Sequence, residues 1–442
     1  MTYPDNHVAS KRLYDRACAC LPGGNTRTTV FMRPFPIYAV RGAGCRVWDE
    51  DSNEYIDCIN NFTAMIHGYG NKPIADAVVD QIGSGTAFGL PTRSEIDLAE
   101  LLCDRLPAVE QLRFTNSGTE AVMMALKAAR AFTGRPAIAK MEGAYHGTYD
   151  YAEVSLDAEP SNWGEPTPTS VAYAKGTPQG VLDDVIVLPF NDVAAARRII
   201  TENAVRLAAV LIDPLPNRVG LMPASREYVK QLELSVREAG ALLIFDEVIS
   251  FRVSYSGAQG LWGAQPDLTA LGKIIGGGFP VGAVGGRKDV MAVFDPTSGK
   301  PPLPHGGTFS ANPISMRAGL ACMQQLLPAQ FARLDRIGST VRDGFNGLFR
   351  RKGVNARAVG MGSLLKVHFT SRDTTDYRSV FQSPLEVRQL ATFNRGLLNR
   401  GVLAASYGLM ALSTPMTDHD LAGILRAAEG AVDDVLRANP QP

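Results

Sequence analysis

The sequence predicts an α/β fold with a mostly parallel sheet that is covered by helices on both faces. From about residue 72, short apolar runs bounded by turn residues alternate with stretches of helical period. The apolar runs include QLRFTN, AIAKME, VIVLPF, AAVLID, ALLIFDE and AVGGR. The helical stretches include EAVMMALKAARAF and SREYVKQLELSVREAG. In open sheets of this kind, functional side chains follow the carboxyl ends of the strands.

The same patterns divide the chain into three regions. Residues 66–316 carry the alternation and are predicted to form a large domain, whereas 317–442 are richer in long helices and predict a smaller α+β domain. Residues 1–65 begin with an amphipathic stretch, break at LPGGN and continue with two β-like pieces, so we expect them to complete the small domain. The aperiodic stretch 152–180, rich in Pro, Ser, Thr and Gly, is either a disordered insert or an active-site lid, and we favour the lid.

Composition excludes several classes of function. The chain has 442 residues with 44 basic and 44 acidic side chains, so its charge gives no reason to expect nucleic acid or an anionic membrane as partner. No apolar stretch approaches the roughly 18 residues that span a bilayer, and the first residues lack a signal-peptide core, so we expect a cytoplasmic protein. The six cysteines are scattered without a CxxC pair, which predicts neither a metal site nor a disulfide framework.

A strand-like run leads into a helix at FTNSGTEAVMMALKAAR. Ser117 and Glu120 have the spacing of a capping box, which by itself indicates only a well-capped helix. The free N–H groups and hydroxyls of Ser117, Gly118 and Thr119 at a helix N-terminus also suit an anion such as a phosphate. Both interpretations stay open from this motif alone.

A carboxylate and a lysine follow two later apolar runs. Asp246 ends the run in GALLIFDEV, where it could pair with a pyridinium nitrogen or form a structural ion pair, for instance with Arg252. Lys273 in LTALGKIIGGG lies among Leu, Ile and Gly, and an amine in apolar surroundings has a lowered pKa that makes it nucleophilic toward aldehydes. A P-loop is excluded because Asp267 and Ile274 occupy positions that need Gly and Ser or Thr. Lys273 follows Asp246 by 27 residues, about one strand–helix–strand unit, so both can reach the same edge of the sheet.

Two shorter motifs add candidate contacts. GAYHG offers Tyr145 as a flat face on which a ring can stack, and His146 as either an orienting group or an ordinary core histidine. HGGTFSANP offers Thr308 and backbone N–H groups for a second phosphate contact.

In this order, the motifs NSGTEA, YHG, FDEV, LGKIIGGG and GTFSANP resemble those of the class III pyridoxal 5′-phosphate (PLP)-dependent aminotransferases, which have the aspartate aminotransferase fold (fold type I). The resemblance runs from about residue 21 to 420 and is strongest to the glutamate-1-semialdehyde aminomutases and the β-amino-acid aminotransferases. It implies two catalytic residues, Lys273 as the Schiff-base lysine and Asp246 as the partner of the pyridine nitrogen. The other cofactor contacts that it implies are Ser117, Gly118, Thr119, Tyr145, His146, Val248 and Thr308.

The resemblance also implies an assembly and a reaction. Thr308 would reach the phosphate of a neighbouring subunit, and FGLPT (88–92) would cross the same interface, so we expect a homodimer. The implied reaction moves an amino group from a β-amino acid or another amine donor to a keto acid by a ping-pong ketimine mechanism. The alternatives are a glutamate-1-semialdehyde-type 2,1-aminomutase and, more remotely, a non-catalytic PLP-binding protein.

Substrate contacts follow the family pattern only in part. Arg27 matches an arginine that binds the substrate carboxylate in both subgroups, and we expect Phe62, Met65, Phe88 and Tyr407 to line the same pocket. Tyr407 stands about where the β-amino-acid enzymes have a second arginine, and the Phe-Glu-Ala-Gly segment of the aminomutases is missing there. Asp213-Pro214 replaces the usual Glu-Pro. These departures predict a donor that is bulkier or less charged than those of either subgroup.

Overall fold

The computed structural model describes residues 2–438, which form two compact units. The first unit contains residues 2–71, 333–371 and 382–438, and the second contains 72–332 and 372–381. The limits predicted from the sequence were 65/66 and 316/317. The limit predicted at 316/317 lies at 332/333 in the structure, because the helix over 313–325 packs on helices of the second unit. Residues 372–381 also belong to the second unit.

The N-terminal part of the first unit is a helix followed by a β-meander. Its elements are α1 (Val8–Ala17), β1 (Ala39–Ala43), β2 (Arg46–Asp49), β3 (Glu54–Asp57) and α2 (Asn60–Thr63). The strands pair antiparallel in the order β1-β2-β3. α2 is a single turn rather than a regular helix, because each of its residues has a positive φ.

The second unit alternates strands with helices, as the sequence predicts. Its strands are β4 (Gln111–Thr115), β5 (Ala137–Met141), β6 (Val185–Leu188), β7 (Leu207–Ile212), β8 (Leu242–Asp246), β9 (Leu268–Gly272) and β10 (Gly282–Gly286). Its helices are α3 (Lys72–Ser84), α4 (Arg93–Arg105), α5 (Gly118–Thr133), α6 (Asp150–Glu153), α7 (Gln179–Asp183), α8 (Val193–Glu202), α9 (Arg226–Glu238), α10 (Gly257–Trp262), α11 (Lys288–Met291) and α12 (Pro313–Gln325).

Within the described residues these strands form one seven-stranded sheet in the order β4-β10-β9-β8-β7-β5-β6. β10 is antiparallel to β4 and β9, and the other neighbours are parallel, so the predicted mostly parallel α/β fold is confirmed. β5, β7, β8 and β9 are buried throughout because α5 packs on one face of the sheet and α8 and α9 pack on the other. The glycines of β10 are required by close approach, since a Cβ at Gly282 would lie 2.0 Å from the carbonyl oxygen of Ser117.

The C-terminal part of the chain completes the first unit. Its elements are α13 (Pro328–Lys352), which begins in the second unit, β11 (Arg357–Val359), β12 (Leu364–His368), α14 (Pro384–Leu398), β13 (Val402–Leu403), β14 (Leu409–Ala411) and α15 (Asp418–Ala438). β13 pairs with β3, so the N-terminal and C-terminal segments share a sheet, and β11, β12 and β14 form another. Across residues 2–438, no helix combines the length and the apolar character that crossing a membrane requires.

The Pro-rich stretch 152–180 is packed within the second unit. The backbone N–H of Ser155 donates to the carbonyl of Val171 at 2.8 Å, and the Ser155 hydroxyl donates to the carbonyl of Thr169 at 2.7 Å. The ring of Trp163 packs edge-on against Phe381. A movement of this stretch as a lid stays a prediction.

Candidate active site

Four chain segments bring titratable side chains to the carboxyl edge of the sheet. Asp246 is the last residue of β8, Asp213 comes directly after β7, and Lys273 comes directly after β9. Tyr145 and His146 follow β5 after a short turn. Because β5, β7, β8 and β9 are parallel, their carboxyl ends lie at one edge and these residues come together.

Asp246 is held by a buried histidine. Its Oδ2 lies 2.8 Å from Nδ1 of His146, and its Oδ1 accepts the N–H of Val248 at 2.9 Å. Burial lowers the pKa of His146, although the neighbouring carboxylate opposes this shift. A neutral imidazole with its proton on Nδ1 can donate to Asp246, which fixes the orientation of the carboxylate. Nε2 of His146 has no hydrogen-bond partner among the described residues.

Lys273 has a strained backbone and a buried amine. Its φ is +50°, in the left-handed region that residues other than glycine rarely adopt and that is enriched at active sites. Burial lowers the pKa of its amine, while the charges of Asp246 and Asp213 oppose the shift. The amine is therefore more nucleophilic than a surface lysine at the same pH.

Asp213 is a third charged group at this edge to which the sequence analysis gave no role. Burial raises the pKa of its carboxyl group, and the nearby Asp246 raises it further. Its Oδ1 accepts the N–H of Leu215 at 2.9 Å. The sequence carries the same signal for Asp213 as for Asp246, because each is a carboxylate at the end of an apolar run.

The predicted phosphate site lies at the N-terminus of α5. Ser117 caps this helix through its Oγ, which accepts the N–H of Glu120 at 3.1 Å. A Cβ at Gly118 would lie 2.9 Å from Cγ1 of Val248, and a Cβ at Gly272 would lie 3.3 Å from the same atom. Val248 therefore lies between the end of β9 and the helix N-terminus, so the predicted phosphate, ring and lysine positions adjoin one another.

The two remaining predicted cofactor contacts lie in loops of the second unit. The side chain of Tyr145 is 45% exposed. Thr308 is exposed in a loop whose Ser310 Oγ lies 3.4 Å from Nδ2 of Asn116 in the same chain. The loop therefore adjoins the helix N-terminus of its own chain.

Two of the predicted substrate residues lie with Arg27 in the first unit. A cavity of about 580 Å³ there is lined by Arg27, Phe62 and Met65, among others. Most of the lining is apolar and includes Phe31, Met32, Trp48 and Tyr69. Nη1 of Arg27 donates to Oδ1 of Asn61 at 2.7 Å.

The structure places the other two predicted substrate residues elsewhere. The ring of Tyr407 faces Nζ of Lys366 at 5.4 Å, while its neighbour Ser406 borders the cavity. Phe88 belongs to the second unit, where its side chain is 50% exposed. Their part in substrate binding stays a prediction.

This geometry can be compared with known proteins. Residues 29–429 match the family model described as "Aminotransferase class-III", which covers most of the chain. The chain belongs to the class III aminotransferases. The family that the motifs resembled, the fold and the enzymatic class are thereby confirmed.

Individual class III aminotransferases and related enzymes match over nearly the whole chain. The chain is 38% identical to a β-phenylalanine transaminase of Variovorax paradoxus, over 95% of this chain and 91% of the relative. It is 37% identical to a glutamate-1-semialdehyde 2,1-aminomutase of Persephonella marina, over 97% of this chain and 99% of the relative.

Solved structures agree with these relatives. An omega-transaminase from Sphaerobacter thermophilus superposes with a TM-score of 0.95 at 50% identity, covering 97% of this chain and 98% of that one. A transaminase with PLP bound superposes with a TM-score of 0.91 at 40% identity, covering 98% and 99%. This class III aminotransferase uses PLP as its cofactor and acts on amine and keto acid substrates. The side chains at the sheet edge fit that cofactor, since they provide an amine for its aldehyde, a carboxylate for its ring nitrogen and a helix N-terminus for its phosphate.

Proposed function

We propose that PLP is held at the carboxyl edge of the seven-stranded sheet, with Nζ of Lys273 as the covalent attachment and Asp246 as the partner of the ring nitrogen. The adjacency of Lys273, Val248 and the α5 N-terminus supports this placement. Tyr145 and Val248 pack on the two faces of the ring. Ser117, Gly118 and Thr119 bind the phosphate.

Each side chain at this edge then has a chemical task. When bound, PLP supplies a ring that accepts the electron pair released from the donor carbon. Asp246 keeps a proton on the ring nitrogen, and His146 holds the carboxylate in place through its 2.8 Å contact. Once the donor amine has taken its place at the cofactor aldehyde, the freed Nζ of Lys273 would accept the proton from the donor carbon, a role that its lowered pKa favours.

We further propose that the amino donor is a β-amino acid with an apolar side chain of aromatic size, and that the acceptor is a keto acid. The observation that carries this proposal is the cavity of the first unit, where the cation of Arg27 borders an apolar lining that includes Phe62 and Met65. Its volume of about 580 Å³ lies in the range of small-molecule sites. A carboxylate with an apolar body complements such a lining. The relative named a β-phenylalanine transaminase supports the same donor class.

The proposed assembly is a homodimer in which Thr308 contacts the phosphate held by the other subunit. The loops predicted to cross the interface expose large apolar side chains that a partner would cover. Phe88, Leu90 and Phe309 are 50%, 77% and 60% exposed, respectively.

The second candidate function is an intramolecular 2,1-aminomutase, which the relative in Persephonella marina favours. An aminomutase needs no second substrate, whereas an aminotransferase cannot turn over repeatedly without a keto acid. The lack of the Phe-Glu-Ala-Gly segment near Tyr407 speaks for the aminotransferase.

The need for an acceptor tests the proposal. The holoenzyme is incubated with 3-amino-3-phenylpropanoate, with and without pyruvate or 2-oxoglutarate, and product is followed by chromatography. We expect repeated turnover only when the keto acid is present. The Lys273→Ala variant should lose turnover and should no longer retain the cofactor after borohydride treatment, because the covalent attachment is removed.

The exposed Lys127 gives the matched control, and Lys127→Ala should behave as the wild type in both assays. Isomerisation of glutamate-1-semialdehyde without any keto acid, together with no turnover of 3-amino-3-phenylpropanoate, would instead identify a 2,1-aminomutase.

A further inference from the structure

The most unusual backbone of the first unit is the turn α2, which borders the cavity. Its residues Asn60, Asn61, Phe62 and Thr63 have φ values of 50°, 46°, 53° and 78°. None is a glycine, and a β-branched residue such as Thr63 is a clear outlier in this region. A run of this kind persists only where the surrounding structure imposes it, which is typical of functional sites.

Hydrogen bonds at the start of the turn impose this conformation. Oδ1 of Asp57 accepts the N–H groups of Ile59 at 2.7 Å and Asn60 at 3.0 Å. The amide of Asn60 donates to the carbonyl of Ala411 on β14. Oδ2 of Asp57 accepts the hydroxyl of Tyr69 at 2.6 Å. Both oxygens of the Asp57 carboxylate therefore accept hydrogen bonds from Ile59, Asn60 and Tyr69, and none of these donors belongs to Arg27.

The turn presents Asn61 and Phe62 to the cavity, where both contact Arg27. Oδ1 of Asn61 accepts from Nη1 of Arg27 at 2.7 Å, and the guanidinium carbon lies 5.8 Å from the centre of the Phe62 ring. Within residues 2–438, Arg27 makes no ion pair with a carboxylate. A guanidinium has five N–H donors, so most of those of Arg27 remain available to a ligand.

We propose that Asn61 is a positioning residue that orients Arg27 for the carboxylate of the amino donor, and that the left-handed turn exists to place the Asn61 amide there. This inference rests on the proposed function, which assigns the carboxylate to Arg27. A long exposed arginine loses much side-chain freedom on binding, and a fixed hydrogen bond removes part of that cost beforehand. A neutral amide does so without neutralising the guanidinium, whereas an acidic side chain would compete with the substrate.

The Asn61→Gly variant tests the inference, because glycine adopts a φ of +46° without strain while the amide is lost. Two readouts use the holoenzyme. One is the Kd of 3-phenylpropanoate by calorimetry, and the other is the steady-state kinetics with 3-amino-3-phenylpropanoate and with 1-phenylethylamine, which lacks a carboxylate.

We expect the Kd of 3-phenylpropanoate and the KM of the β-amino acid to rise about tenfold, since a hydrogen bond to a charged group is lost. Kinetics with 1-phenylethylamine should change less than twofold. In an Arg27→Ala background the further change Asn61→Gly should have no effect on the carboxylate ligands, because the group that it positions is gone.

Ser52→Gly is the matched control, since Ser52 also has a positive φ of 64° but does not line the cavity. It should leave both readouts unchanged. An Asn61→Gly effect of equal size on both donors, or one that persists without Arg27, would overturn the inference.

The readouts separate this inference from the function on which it rests. Wild-type protein that binds 3-phenylpropanoate in an Asn61-dependent way but transfers no amino group refutes the proposed function alone. Transamination that depends on Arg27 but is indifferent to Asn61→Gly refutes the positioning role alone. Wild-type protein that does not bind 3-phenylpropanoate overturns the inference directly.

Discussion

Burial, rather than ion pairing, sets the pKa values of several charged side chains near the sheet edge. Lys140 is the fourth of the five residues of β5 and is completely buried. Its Nζ donates to the carbonyls of Val154 at 2.7 Å and Met141 at 3.2 Å. Burial lowers the pKa of Lys140 to about 7, while Glu142 opposes the shift. The folded chain therefore holds Lys140 largely neutral at alkaline pH, where the unfolded chain keeps it protonated.

This difference predicts a pH dependence of stability. Between the folded value of about 7 and the usual 10.5, the unfolded state binds one more proton at this site, so the free energy of unfolding rises with pH. The contribution of this group is lost as pH falls toward 7. In the Lys140→Met variant, the free energy of unfolding should rise less steeply with pH, by about 1 kcal/mol per pH unit between pH 7.5 and 9.5. Urea unfolding at a series of pH values measures this slope.

The exposed Lys127 controls for the loss of a charge, and Lys127→Met should keep the wild-type slope. Equal slopes for Lys140→Met and the wild type would show that Lys140 is protonated in the folded state.

At the scale of elements, the short segment 372–381 ties the Pro-rich stretch to the end of β5. Arg378 contacts Glu142 through two hydrogen bonds, of 2.8 Å from Nε and 3.0 Å from Nη2. The same guanidinium donates to the carbonyl of Trp163 at 2.8 Å and lies 4.9 Å from its ring. Glu142 is nearly fully buried, so its charge depends on this partner.

Removing Arg378 should therefore destabilise the second unit. We expect Arg378→Met to lower the free energy of unfolding by about 3 kcal/mol, because it leaves a buried carboxylate without its cation. Urea unfolding followed by tryptophan fluorescence measures the loss.

The double variant Arg378→Met/Glu142→Gln provides the control. It should recover part of the loss, because the buried charge is then absent as well. A double variant that is less stable than Arg378→Met would contradict this explanation.

At the scale of the whole molecule, the proposed homodimer requires that Thr308 of one subunit contacts the phosphate held by the other subunit. The loop of Thr308 adjoins Asn116 of its own chain, so a contact within one subunit and a contact across two subunits are both geometrically reasonable. Mixed dimers distinguish the two arrangements.

Heterodimers of a Lys273→Ala subunit and a Thr308→Ala subunit, purified through two tags, should show about half of the wild-type activity at limiting PLP. If Thr308 acts across the interface, the site with the intact Lys273 receives an intact Thr308 from its partner. If Thr308 acts within its own chain, one site lacks Lys273 and the other lacks Thr308, so the activity falls to half that of the Thr308→Ala homodimer.

A heterodimer of wild-type and Lys273→Ala subunits controls for the loss of one site and should retain half of the activity in either case. A mixture that yields only monomers would refute the dimer itself.

The sequence by itself determined the α/β fold, the family and the grouping of Asp246, His146 and Lys273. The physical reason is that these features are local or follow from a simple rule. A nearly uniform apolar run predicts a buried parallel strand, and parallel strands bring the residues after them to one edge.

Only the tertiary structure decided the features that depend on contacts between distant segments. The burial of Lys140, the position of Asp213 near Lys273 and the hydrogen bonds of Arg378 to Glu142 each depend on parts of the chain that no local pattern connects. The left-handed turn at Asn60–Thr63 is the clearest case, because Phe62 and Thr63 disfavour that backbone. Hydrogen bonds to Asp57 and to Ala411 outweigh the local preference, and the bond of Asn60 to Ala411 exists only once the chain has folded.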